Sequence, residues 1–206
     1  MCGNGIRCVA KYAWDHGLVD RAELSIETDA GIKRAVCVRE SGVVTGACID
    51  MGAPSLAARD LPATLDQDRL IEYPICVNGM AFDITCVSMG NPHAVVFRDK
   101  LHTVDLVSLG PEIECAAIFP ERINVHFARV DALDRVTVRT WERGSGATRA
   151  CGTGACAVCV ATAVTRRTHR TITTALPGGD LQIDWRDDDH VYMTGPATEV
   201  FSGVYP

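Results

Sequence analysis

Two stretches of this chain carry residue types from which chemistry could be built. One opens it, Cys2-Gly3-Asn4-Gly5 followed by Ile6-Arg7-Cys8-Val9-Ala10. The other lies far along it, Cys151-Gly152-Thr153-Gly154 followed by Ala155-Cys156-Ala157-Val158-Cys159. Both read Cys-Gly-x-Gly at the expected start of a helix. A helix start presents unpaired N–H groups and a partial positive charge, and glycines there let an anion approach the backbone closely. A carboxylate would sit on the amides of Gly3, Asn4 and Gly5, or of Gly152, Thr153 and Gly154. The same field favours thiolate over thiol, lowering a cysteine from its usual value of roughly 8.5. If the two motifs face each other, a carboxylate held by both has its α-carbon between two sulfurs. One thiolate can then take a proton from one face while the opposite thiol delivers one to the other, which inverts a stereocentre without a cofactor. Two thiolates at close range disfavour each other, so one thiol and one thiolate is the expected resting state. Two copies of one device also suggest an internal duplication. Cys2 and Cys151 are the reactive candidates. Cys8, Cys156 and Cys159 lie inside the apolar runs and read as small core residues.

The elements that must position these residues are legible in outline. Gly5 to His16 reads as a helix ended by Gly17. Leu24–Thr28, Ala35–Arg39 and Val43–Asp50 alternate and read as a meander of strands. Met51-Gly52-Ala53-Pro54 breaks the pattern and marks a candidate domain boundary. Asp60 to Tyr73 is loop-like, with Pro62 and Pro74 as stops. Ile84–Met89 is a strand running into Gly90-Asn91-Pro92-His93, and Ala94–Phe97 continues as a second apolar strand. Asn91 is held extended by Pro92; its amide suits either substrate binding or a simple Asn-Pro turn. A helix is expected over Asp105–Ala117, its start delayed to Pro111 by Gly110-Pro111. Arg122–Phe127 alternates, and Val136–Trp141 is a strand ending at Glu142-Arg143-Gly144. Arg143 can hold a carboxylate with paired hydrogen bonds, and Glu142 can accept from an ammonium. After a second buried helix, Thr171–Leu176 is a strand, Leu181–Trp185 and His190–Met193 form a hairpin, and Glu199–Gly203 is a final strand.

Three motifs, taken in order, resemble the diaminopimelate epimerase family: Met1-Cys2-Gly3-Asn4-Gly5-Ile6-Arg7-Cys8, Gly90-Asn91-Pro92-His93-Ala94-Val95, and Glu142-Arg143-Gly144-Ser145-Gly146-Ala147-Thr148-Arg149-Ala150-Cys151-Gly152-Thr153-Gly154. The resemblance runs from first residue to last. It implies a cofactor-independent two-base epimerase that interconverts LL- and meso-diaminopimelate for lysine and peptidoglycan precursors. It implies an α+β fold of two similar β-rich barrel-like domains, each around a central helix, with the site in the cleft between them. The expected division is residues 1–50 plus 196–206 and residues 51–195, the first domain incomplete, because family members carry a further segment before the first motif. By the same resemblance, Cys151 takes the proton and Cys2 gives one in the LL-to-meso direction, while His93 and Glu142 support the chemistry. Gly3, Asn4, Asn91, Asn124, Glu142, Arg143, Gly152 and Thr153 hold the substrate. The C-terminal strand returns to the first domain, and an aromatic at the position of Phe201 helps form a homodimer.

Composition narrows the alternatives. A net charge of −6 argues against nucleic acid or an anionic membrane as partner. Ala155–Val164 is too short to span a bilayer. Ten cysteines without framework spacing in a chain of 206 residues suit a reducing cytosol. Gly152-x-Gly154-x-x-Ala157 fits a dinucleotide fingerprint superficially, but no acidic residue follows at the required distance and no strand is expected before it. Cys156-x-x-Cys159 lacks the second ligand pair of a zinc site, so neither metal nor cofactor is expected. A proline racemase-like enzyme would have no use for Glu142-Arg143 and Asn91, which suit a long substrate with a second polar end. A third reading is an inactive fragment whose open strand edges promote aggregation.

Overall fold

The computed structural model describes residues 3–204, so Cys2 lies outside the described residues. In chain order the elements are helix α1 (Gly3–Asp15), strands β1 (Glu23–Thr28), β2 (Gly31–Glu40), β3 (Val43–Asp50), β4 (Tyr73–Val77), β5 (Met80–Ser88) and β6 (Pro92–Phe97), helix α2 (Leu106–Glu114), strands β7 (Asn124–Ala132), β8 (Arg135–Glu142) and β9 (Gly146–Thr148), helix α3 (Gly152–Val164), and strands β10 (Thr171–Leu176), β11 (Gly179–Trp185) and β12 (Val191–Pro196). The class is α+β. The strands join in one mixed sheet of order β1-β2-β3-β12-β11-β10-β8-β7-β6-β5-β4, with β9 on β8. Two neighbouring pairs, β6–β7 and β8–β10, are parallel. Parallel neighbours need a crossover, and α2 and α3 lie in the two connections. The sheet path stays open at β1 and β4, and it bends so that β5, β6, β7, β10, β11 and β12 touch α3.

The pleat explains where the core sits. Along β5 to β8 one set of side chains, Val87, Val95, Ala128, Val136 and Val138, packs with α3. The alternate set, Ile84, Cys86, Ala94, Val96, Val125 and Phe127, forms a second cluster with Leu106 and Ile113 of α2. A strand covered on both faces reads as a continuous apolar run, as Ala94–Phe97 does. Every residue of α3 from Gly152 to Thr162 is buried. A helix apolar all round belongs inside, and fully burying Val158 or Val160 contributes about 1.5–3 kcal/mol each over leaving it exposed. In α1, by contrast, Gly3, Ile6, Arg7 and Ala10 form one buried stripe against the sheet.

Several expectations are corrected. Cys8 is exposed, because the buried stripe of α1 at positions 3, 6, 7 and 10 turns position 8 outward; Cys156 and Cys159 are fully buried. Helix α2 starts at Leu106, capped by Asp105 accepting from the Ser108 amide, and carries Pro111 inside it. Pro74 does not stop a strand but sits within β4, an edge strand, where a missing N–H is tolerated. Glu199–Gly203 is not a strand: the ladder of β12 on β3 ends at Pro196 opposite Gly46, and Glu199–Gly203 has no strand partner among the described residues. The short β9 does precede the second Cys-Gly-x-Gly motif.

Candidate active site

Cys151 is the N-cap of α3. Its backbone is extended (φ −121°, ψ 110°) while its carbonyl already accepts from the Ala155 amide. Its sulfur takes the role that an Asp or Ser oxygen usually has at a cap, accepting from the Gly154 N–H at 3.4 Å. The Thr153 hydroxyl stands 3.6 Å from the same sulfur. Of the three amides expected to cradle an anion, that of Gly154 is therefore committed to sulfur, and those of Gly152 and Thr153 lie in the buried first turn. The thiol is 5% exposed. Burial first, and then the neighbouring Glu142 carboxylate, push it up to about 11, while the hydrogen bonds from Thr153 and Gly154 pull it down. The helix start favours thiolate, but burial acts on this sulfur in the opposite direction and is the larger of the causes that raise it.

The two motif helices start side by side. Asn4 of α1 donates its side-chain amide to the carbonyl of Ala150 at 3.2 Å, and its oxygen accepts from Arg7 at 3.1 Å. The first glycine of each motif meets the same methionine. A Cβ on Gly152 would lie 3.0 Å from the Met193 sulfur, and one on Gly3 would lie 2.7 Å from its methyl carbon. A larger residue at either position would require the Met193 side chain to move.

Beneath the start of α3 the sheet carries a polar row on an otherwise apolar face. Register puts it there: His93 of β6 pairs with Asn124 of β7, His126 pairs with Thr140 of β8, and Thr140 pairs with Thr148 of β9. Glu142 follows Thr140 by two residues and shares its face. The side chains are joined in a chain. Thr140 Oγ1 lies 3.0 Å from His126 Nδ1, His126 Nε2 lies 2.9 Å from His93 Nδ1, and His93 Nε2 lies 3.0 Å from Asn91 Oδ1. The Asn91 amide donates to Thr153 Oγ1 at 3.3 Å, and Thr153 reaches Cys151. Both histidines are fully buried. Burial drives His126 down to about 3; burial, His126 and Arg143 drive His93 well below its ordinary value. The Thr148 hydroxyl donates to Glu142 Oε1.

Of the residues singled out from sequence, Asn91, His93, Glu142, Thr153 and Cys151 converge, and Gly3, Asn4 and Gly152 lie at the adjoining helix starts. Asn124 is 5% exposed and braces two segments: it donates to the Pro92 carbonyl at 2.7 Å and accepts from the Arg143 amide at 3.0 Å. The Arg143 guanidinium lies at the surface and donates to the Glu121 carbonyl at 3.1 Å. A cleft of about 390 Å³ opens against Asn91 and Thr153, with Lys33, Met51 and Gly52 in its wall. The sequence reading passed over His126, Thr140 and Met193. The signal for the first two was a polar residue near one end of strands that are otherwise apolar on that face.

A family model described as diaminopimelate epimerase matches residues 85–200. The chain is 48% identical over 207 residues to a diaminopimelate epimerase of Moorella thermoacetica, covering 100% of this chain and 74% of that protein. It is 47% identical over 204 residues to a diaminopimelate epimerase of Desulfitobacterium hafniense, covering 99% and 72%. Among solved structures, a hydroxyproline epimerase from Agrobacterium vitis superposes with a TM-score of 0.69 at 17% identity, covering 95% of this chain and 64% of that one. At that identity the likeness is one of fold.

Proposed function

The chain belongs to the diaminopimelate epimerase family, and on that premise we propose that it interconverts LL- and meso-diaminopimelate by two-base proton transfer at the α-carbon. The observation that carries the reading is Cys151 at the start of α3, its sulfur on the Gly154 amide and beside the Glu142 carboxylate. The substrate carboxylate rests on the first-turn amides of Gly152 and Thr153, where the helix start favours negative charge. Its ammonium faces Glu142. Neutralising that carboxylate weakens the Glu142 contribution that, beside burial, holds the thiol high, so substrate binding itself favours the thiolate.

In the LL-to-meso direction the Cys151 thiolate takes the α-proton, breaking C–H and forming S–H. The electron pair delocalises into the carboxylate on the helix amides. A thiol on the opposite face, Cys2, gives its proton to the α-carbon, and the configuration inverts with no net change in protons or electrons. The roles exchange in reverse. Asn91, His93 and Asn124 keep the walls of the site in place, and Arg143 answers the distal carboxylate of a long substrate.

Residues 1–50 with 196–206, and residues 51–195, form the two lobes of this reading. Val200, Phe201 and Val204 are exposed and offer an apolar contact for a homodimer. The nine cysteines of the described residues are free, which suits a reducing cytosol, and no helix of the described residues is long and apolar enough to cross a membrane.

The test is proton NMR of LL-diaminopimelate with the protein in D₂O. Deuterium should replace the α-hydrogen as the meso isomer appears. Undiminished inversion by a Cys151→Ala protein would overturn the reading.

A further inference from the structure

The function proposed above calls on His93 but leaves its partner His126 without a task, although the second ring is as deeply buried and is bonded at both nitrogens. We propose that His126 is a positioning residue, which sets the direction of a hydrogen-bond chain ending on the Cys151 sulfur.

The direction follows from which atoms can donate. The Asn91 side-chain oxygen only accepts, so His93 Nε2, 3.0 Å away, carries a proton. A neutral His93 then has a bare Nδ1, which must accept, so His126 Nε2 carries the proton between the rings. A neutral His126 in turn has a bare Nδ1, and that accepts from the Thr140 hydroxyl. At the other end, the Asn91 nitrogen donates to Thr153 Oγ1. A hydroxyl has one proton, and since the Thr153 oxygen is already accepting, that proton is free for Cys151. All bonds therefore run one way, from Thr140 to sulfur. Were the His126 proton on Nδ1 instead, His93 would have to donate from Nδ1 and Asn91 would have to turn its nitrogen toward His93. Thr153 would then donate to Asn91, and the sulfur would lose that donor.

The fold holds His126 in place for this. Thr140 is its direct cross-strand partner on β8. The first turn of α3 presses on the ring, since a Cβ on Gly154 would lie 2.2 Å from its Cε1. No buried side-chain nitrogen or oxygen among the described residues lacks a partner. The depressed values of both rings keep them neutral near pH 7. The other ionisable groups around the pair are Arg143, whose charge is felt at His93, and Glu142 and Cys151 on β8 and α3.

The inference rests on reading Cys151 as the thiol that exchanges a proton with substrate, but its test uses the unliganded chain. A failure of the epimerase reading would appear in the deuterium assay and not here. The first measurement is ¹⁵N NMR of the histidine rings at neutral pH. Both His93 and His126 should be Nε2–H tautomers; an Nδ1–H or cationic ring at either position overturns the proposal, whatever the variants do. The second is the rate at which a small haloacetamide labels Cys151 at fixed alkaline pH, read on its peptide by mass spectrometry. His126→Asn places an amide only at the depth of Nδ1 and cannot reach His93, whereas His126→Gln places a donor near Nε2. The Asn variant should react about tenfold more slowly, the loss expected when a thiolate gives up one hydrogen bond, and the Gln variant should recover most of the rate. Equal rates in the two folded variants would mean that His126 only fills space.

Discussion

Gly154 and His126 are fitted to each other: the helix start carrying Cys151 comes so close to the imidazole that a Cβ on Gly154 would overlap the ring. The second glycine of the Cys-Gly-x-Gly motif thus has a packing role beside any role toward a ligand. Gly154→Ala must displace either the ring or the helix start. A loss of about 1–3 kcal/mol in urea unfolding is expected, with loss of the Nε2–H tautomer at His126. An unchanged urea midpoint would mean that the ring gives way freely.

Cys151→Ala should abolish both deuterium incorporation and inversion. A positioned acid–base group is typically worth about 10²–10⁴ in rate, and Cys151→Ser should lose most of that, because a hydroxyl is a far weaker acid than a thiol. A serine protein with near-normal turnover would count against sulfur as the base.

Glu142→Gln separates two effects that a structural role would not. The carboxylate raises the Cys151 thiol, so removing its charge lowers the thiol and raises the thiolate fraction at any pH below about 11. Labelling of Cys151 by a haloacetamide should therefore become faster, while epimerisation falls because the substrate ammonium loses its partner. Unchanged labelling would place the two groups out of electrical contact.

His93 and His126 give stability a defined pH dependence. Both rings are held neutral in the folded chain, well below the ordinary value of 6.5, whereas an unfolded histidine protonates around that value. The unfolded state therefore binds more protons, and the stability that neutral rings provide is complete above about pH 6.5. It is lost as pH falls toward 3, the region where His126 itself titrates. The slope is roughly 1 kcal/mol per pH unit per histidine. Urea midpoints between neutral pH and about pH 5 should drop steeply for the native chain and about half as steeply for His126→Gln. Parallel curves would contradict the neutral assignment of His126.

Asn4→Ala removes the bond from α1 to the Ala150 carbonyl. The expected cost is about 1 kcal/mol, with faster amide hydrogen exchange confined to the starts of α1 and α3. Exchange that is unchanged at the α3 start would show that the two helix starts hold their places independently.

Much of the site was readable from local pattern. Both Cys-Gly-x-Gly stretches do begin helices, the alternating segments are strands, and Asn91 before Pro92 lies at the turn between β5 and β6. Asn124 and Arg143 were read as substrate contacts. The structure adds that Asn124 braces Pro92 against Arg143, a bond spanning segments that no short window contains.

Helices and strands could be anticipated because each depends on backbone freedom, caps and apolar spacing within a few neighbouring residues, and so could the place of Cys151 at a helix start. The protonation of that cysteine could not. Burial at the start of α3 and Glu142 both push the thiol up, and desolvation exists only once the core has closed. The chain of bonds from Thr140 to the sulfur likewise belongs to the fold, since it joins β6, β7, β8 and α3, with Asn91 and Thr153 62 residues apart. Local pattern sets which face of each strand is polar, but only the register between strands decides which polar residues meet.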